Sequence, residues 1–143
     1  MRLWHKDLIP ALPRNQLLGQ WRECCLIAKG LNEGTLNHLL VNKVKEYPVT
    51  HFALYCNEVK REIERRGYKT NTKINFLFGG EKILPTHEGL FREWHNDRYL
   101  TQCLYNLQEK YDCGGLTADE WQLVENRYWA VYSNEINKAR EIR

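Results

Sequence analysis

The strongest constraint on this chain is a run of apolar residues at helical spacing close to its start. From Pro13 to about Ala28, the residues Leu17, Leu18, Trp21, Cys24, Cys25 and Ala28 return to one face of a helix. Pro13 suits a helix start and Gly30 a position just past its end. Such a stripe has to be covered by another element, and the same period recurs further on. Leu36, Leu39, Leu40 and Val44 predict a short second helix after Thr35. Phe52, Tyr55, Cys56, Val59 and Ile63 predict a third, N-capped by Thr50 and ended by Gly67. A fourth is expected over Asp97 to Tyr111, with Leu100, Cys103, Leu104, Leu107 and Tyr111 inward and Gly114 or Gly115 as its stop. Trp121, Val124, Tyr128 and Tyr132 predict a fifth, opened by a capping box from Thr117 to Glu120.

Residues 68 to 95 lose this period, and "FGG", Pro85 and Gly89 suggest a long irregular crossover. A short extended piece is expected at Ile74 to Phe78. The fold class that follows is all-α: one compact domain, residues 1–143, of about five helices with the crossover between the third and fourth. At 143 residues the chain has room for one real core and not comfortably for two. With 43% apolar and 12% aromatic residues it is not a disordered segment.

Other features exclude more than they select. A net charge of +3 is compatible with a polyanionic partner but does not demand one. Cys24, Cys25, Cys56, Cys103 and Cys113 form no C-x-x-C pair, and the first two read as small core residues in a reducing compartment. No apolar run reaches the ~18 residues of a membrane span, and the opening segment lacks a signal-peptide core. The expected location is cytoplasmic, away from any membrane. His5, His38, His51, His87 and His95 show no ligand spacing with a carboxylate or cysteine, so no metal site is expected.

The polar side of the first helix carries the site candidates. With Trp21 at the centre of the apolar face, Glu23 lies about 160° away, almost opposite the core. Gln16 and Gly19 share that side and Arg22 flanks it. By spacing alone these residues are ordinary solvated surface. Gly19 stands out, because glycine inside a helix costs roughly 1 kcal/mol against alanine and leaves a bare patch.

Two stretches give that side a meaning. "MRLW" at the start, followed by "LLGQWRE" from Leu17, resembles the pyrimidine-dimer DNA glycosylase family, which begins with a short basic segment and a helix bearing an aromatic–Arg–Glu triplet. Here the triplet is Trp21, Arg22 and Glu23. The likeness continues through "NEVKREIERRGY" and "HNDRYLTQCLYNLQEKY", so that roughly the first 70 residues and positions 95 to 111 are covered.

The resemblance implies a DNA-repair glycosylase with abasic-site lyase activity, acting on double-stranded damaged DNA without metal or organic cofactor and without an obligatory protein partner. The family's nucleophile is a terminal α-amine, which attacks C1′ of the damaged nucleotide and forms a Schiff base. As a class, α-amines titrate near about 7.7–8.0 and keep a useful neutral fraction where a lysine does not. Carried over by position, Met1 supplies the amine and Glu23 the assisting carboxylate. Arg2 and Arg22 contact phosphate or base, and Gln16 joins the substrate-binding side. His5 reads by itself as polar surface and, in this setting, as a group that could orient a phosphate.

The departures are specific. The family's founding phage enzyme loses its initiator methionine and uses a threonine amine, whereas Arg2 should block that trimming and keep Met1. A second basic residue of the family's helix falls on Leu26, and the phage protein's aromatic, lysine-rich tail has no counterpart. The basic cluster Lys60, Arg61, Arg65 and Arg66 and the helix entrance at His95, Asn96 and Arg98 are secondary phosphate candidates. A non-catalytic helical module binding nucleic acid or protein remains the other reading.

Overall fold

The computed structural model describes residues 1–74 and 83–141, with side chains to Asn134. Among them are four α-helices: α1 (Arg14–Glu33), α2 (Val49–Arg65), α3 (Asp97–Asp112) and α4 (Ala118–Glu141). Two 3-10 segments, Lys6–Ala11 and Asn42–Glu46, complete the described secondary structure, and no strand occurs in it. The chain is all-α, as the periodicity requires. None of the described helices is long and apolar enough to cross a membrane.

Helix α1 starts where Pro13 fixes the backbone but runs past Gly30, ending at Gly34 with φ of 70°. Gly30 is therefore not the stop. Its lack of a side chain serves the turn that follows, since a Cβ there would sit 3.2 Å from the Leu36 Cα. The Thr35 and Leu36 N–H groups then reach back to the Gly30 carbonyl at 2.8 and 3.2 Å.

The helix expected from Thr35 does not form. The segment is a turn followed by the Asn42–Glu46 3-10 piece, with Leu39 87% and Leu40 48% exposed while Val41 and Val44 are buried. Local side chains capture its backbone instead: the His38 N–H donates to Asn42 Oδ1 at 2.9 Å and the Leu40 N–H to His38 Nδ1 at 3.3 Å. The start of α2 also differs, because Pro48 precedes its first residue, Val49, and no side chain caps it. Thr50 is already inside the helix.

Of the two later caps, the box at Thr117 follows the sequence reading, while Asn96, named there as part of a phosphate candidate, serves as the cap of α3. Asn96 Oδ1 accepts from the Tyr99 N–H at 2.9 Å, and Thr117 and Glu120 exchange the two bonds of a capping box at 2.9 and 3.1 Å. Helix α1 packs on α2 and α3 on α4, with the Lys6–Ala11 segment set between α2 and α4. All four helices contribute to one apolar cluster, and Leu3, Leu8 and Leu12 extend it into the opening segment. Burying such a side chain fully is worth about 1.5–3 kcal/mol.

Of the extended piece expected at Ile74 to Phe78, residues 75–78 lie outside the described residues. The later part of the crossover is fastened down. Leu90, Phe91, Trp94 and His95 are buried. The buried Lys6 Nζ donates to the carbonyls of His87, Glu88 and Leu90 at 2.7, 3.0 and 2.7 Å. His87 bridges Asp7 Oδ1 at 2.6 Å and Glu58 Oε1 at 2.7 Å, and those hydrogen bonds push its pKa up to about 9. Burial works to raise the Asp7 carboxyl, but the His87 bond and the neighbouring cations outweigh it and hold it below its usual range.

Candidate active site

The first residues of the chain are threaded into the protein. Leu3 is fully buried and Trp4 7% exposed, so their backbone polar groups need partners from within. Helix α1 supplies Gln20, 1% exposed: its Oε1 accepts from the Trp4 N–H at 2.7 Å and its Nε2 donates to the Arg2 carbonyl at 2.8 Å. Helix α2 supplies Tyr55, whose single hydroxyl proton is shared between the Trp4 carbonyl at 2.6 Å and Gln20 Oε1 at 2.9 Å. Helix α3 supplies Tyr99, donating to the Leu3 carbonyl at 2.6 Å. Burial pushes both phenols well above their ordinary pKa, so they stay protonated donors.

This clamp brings the segment against Glu23. The Arg2 N–H donates to Glu23 Oε2 at 3.1 Å, and Gln20 Nε2 lies 3.3 Å from the same oxygen. Covalent geometry holds the Met1 nitrogen roughly 3–4 Å from the Arg2 nitrogen. The Met1 nitrogen thus lies one residue from the bond to the half-buried Glu23 carboxylate, with no ion pair between the two among the described residues, and Met1 is 38% exposed. The side of α1 opposite the core is not simply solvated: Gln20 and Glu23, one turn apart, are roofed by the opening segment.

The other candidates fall in different places. Arg22 is exposed and its Nη2 lies over Gly19, 3.5 Å from where a Cβ would stand, so the bare patch is covered by that guanidinium. The Arg2 guanidinium stacks over the Trp4 ring at 5.5 Å and interacts with Tyr99 and Cys103. Gln16 is half-buried on the Gln20 side of α1, with an Oε1 that is enclosed and unbonded among the described residues.

His5 is not surface. It is 3% exposed, its Nδ1 accepts from the Asp7 N–H at 3.1 Å, and its Nε2 then donates to the His95 carbonyl at 2.9 Å. Burial lowers its pKa to about 4, so it is a neutral structural group, and its 3.8 Å approach to Asp7 is no ion pair. Both ring nitrogens are occupied, which removes the means of holding a phosphate.

The secondary candidates are largely spoken for. Arg66 donates to the carbonyls of Leu12 and Pro10 at 2.7 and 3.0 Å, and both Arg65 and Arg66 bond Glu62. His95 is buried and Asn96 caps α3. Trp4 and Trp94 are buried and Trp121 stacks on Tyr111, whereas Trp129 is 55% exposed.

A family model described as pyrimidine dimer DNA glycosylase matches residues 1–76, more than half of the chain. The chain belongs to this family. The matched stretch contains α1, α2 and the whole Arg2–Gln20–Glu23 arrangement, whereas Tyr99 lies beyond it. No curated protein and no solved structure matches the chain.

Gln20, Tyr55 and Tyr99 are the residues that sequence reasoning missed. Gln20 was within the family-like "LLGQWRE" stretch, and a glutamine one turn before a polar-side glutamate was the available signal. Tyr55 was counted as core, which it is, but its hydroxyl has a second task. Nothing local to Tyr99 pointed to Leu3, 96 positions away.

Proposed function

We propose that this protein is a DNA glycosylase and abasic-site lyase that excises a damaged pyrimidine, with the Met1 α-amine as nucleophile and Glu23 as its acid–base partner. The observation that carries the reading is the bond from Arg2 N–H to Glu23 Oε2 with the Met1 nitrogen one residue away. The damaged nucleotide has to leave the stack to reach this corner, at a cost of a few kcal/mol.

In this mechanism the neutral amine donates its lone pair to C1′ of the deoxyribose. The C1′–N bond to the base breaks, and the base leaves with that electron pair and takes up a proton. A proton delivered to O4′ opens the sugar ring while the nitrogen loses one, giving an imine to C1′. Loss of a C2′ proton then expels the 3′ phosphate with the C3′–O electron pair, and water hydrolyses the imine to restore the amine. Glu23 is the group beside the amine that can accept and return these protons and hold the cationic sugar. Arg22, exposed next to Glu23 on α1, is the phosphate contact.

Borohydride tests the central step. Added during reaction with duplex DNA carrying an abasic site or a pyrimidine dimer, it should reduce the imine and leave a covalent adduct on the peptide that begins at Met1. DNA binding without an adduct would instead select a non-catalytic module.

A further inference from the structure

The reaction proposed above asks an amine and a carboxylate to keep one separation through several proton transfers. They belong to different elements, an irregular segment and a helix, and Gln20 lies between them. Its amide uses both ends: Oε1 holds the Trp4 N–H and shares the Tyr55 proton, while Nε2 holds the Arg2 carbonyl and reaches Glu23 Oε2. The side chain is 1% exposed, so water does not replace these partners. Only an amide of this length both accepts from one strand of backbone and donates to the next carbonyl and to a carboxylate.

The bonds to Glu23 are unevenly placed. Oε2 takes the Arg2 N–H at 3.1 Å and the Gln20 Nε2 at 3.3 Å, whereas Oε1 takes no hydrogen bond from the described residues. We propose that Gln20 is a positioning residue that locks the Met1-bearing segment to Glu23 through Oε2, leaving Oε1 as the oxygen that moves protons. The inference rests on the roles given to Met1 and Glu23 above. It adds a division of labour between the carboxylate oxygens and a residue that touches no substrate yet sets the distance between the two that do.

The test compares wild type with Gln20→Met, Gln20→Glu and Tyr55→Phe. Gln20→Met keeps length and burial but makes none of these bonds; Gln20→Glu keeps an acceptor for the Trp4 N–H and loses the donor side. Nitrogen-15 relaxation without DNA reads the order of the Arg2 and Leu3 amides. Single-turnover borohydride trapping on abasic duplex at saturating protein reads the chemistry, and dissociation constants read binding. Gln20→Met should loosen both amides and slow trapping by about a hundredfold, with affinity within about threefold and helix amides unchanged. Gln20→Glu should also move the pH profile of trapping upward, because a second carboxylate then faces Glu23. Tyr55→Phe, the mildest change, should show the same pattern in smaller measure if Gln20→Met fails to fold.

Trapping at the wild-type rate in these variants, with ordered Arg2 and Leu3 amides, overturns the lock and leaves the reaction standing. A wild type that binds DNA but yields no adduct overturns the reaction, and the lock's catalytic sense with it.

Discussion

Arg2 donates its backbone N–H to Glu23 Oε2 across 3.1 Å, joining positions 21 residues apart. The bond comes from the peptide unit and not from the guanidinium, which lies over Trp4. A substitution at Arg2 therefore need not break it, whereas truncating the Glu23 side chain does.

Glu23→Gln should fold with stability within about 1 kcal/mol of wild type, since the amide oxygen still accepts from the Arg2 N–H and no core contact is lost. Base release and strand cleavage should fall by roughly 10²–10⁴. Thermal unfolding and single-turnover cleavage measured on one preparation check both halves. Normal turnover in a folded variant takes Glu23 out of the mechanism.

Acetylating the Met1 α-amine should abolish borohydride trapping while leaving noncovalent DNA binding largely intact, and a tag retained ahead of Met1 should do the same. The adduct should not move to Lys6, whose buried ammonium already donates to three carbonyls. Peptide mapping locates the adduct, and intact mass verifies that the protein under test begins at an unmodified Met1. A tagged protein that still cleaves at full rate, its tag verified, refutes the amine as nucleophile.

Arg22→Ala should weaken DNA binding and reduce the slope of log affinity against log salt by up to about 0.9, one phosphate contact. Exposed, and absent from the hydrogen bonds that hold the opening segment, Arg22 can be removed without disturbing the clamp. Binding isotherms from low to moderate salt decide it; an unchanged slope moves the DNA path elsewhere.

Stability should peak near pH 6.5 and fall on both sides. His5 has a folded pKa lowered from 6.5 to about 4, so below 6.5 the unfolded chain takes up the proton first. That alone removes about 3 kcal/mol by pH 4. His95, which burial also holds well below the ordinary value, acts in the same direction. His87 has a folded pKa raised to about 9, so its contribution is complete below 6.5 and is lost as pH rises towards 9. Thermal unfolding from pH 4 to 9 measures both limbs, and His87→Gln should flatten only the alkaline one.

Much of the scaffold was legible because periodicity and caps are local properties. Leu17 to Ala28, Phe52 to Ile63 and Leu100 to Leu107 each bury the face their spacing indicates. The segment after Thr35 misled because Leu36, Leu39, Leu40 and Val44 match a helix by spacing while His38 and Asn42 take the backbone bonds a helix needs. The polar side of α1 was legible as far as Glu23. Its roof was not, because no periodicity in α1 records that Arg2, Leu3 and Trp4 fold across it. His5 was misread for the same reason: isolated in sequence, it is enclosed by His95 and Tyr99 only in the folded chain.

The clamp on the opening segment also has an order in time. Ribosomes release Arg2, Leu3 and Trp4 first, Gln20 next, Tyr55 later and Tyr99 only when α3 emerges. A nascent chain stopped before α3 would have its opening residues but not the full set of groups that hold them. The clamp that holds Arg2 against Glu23 is thus completed only after α3 has been made, so its geometry belongs to the folded chain and not to its first helices.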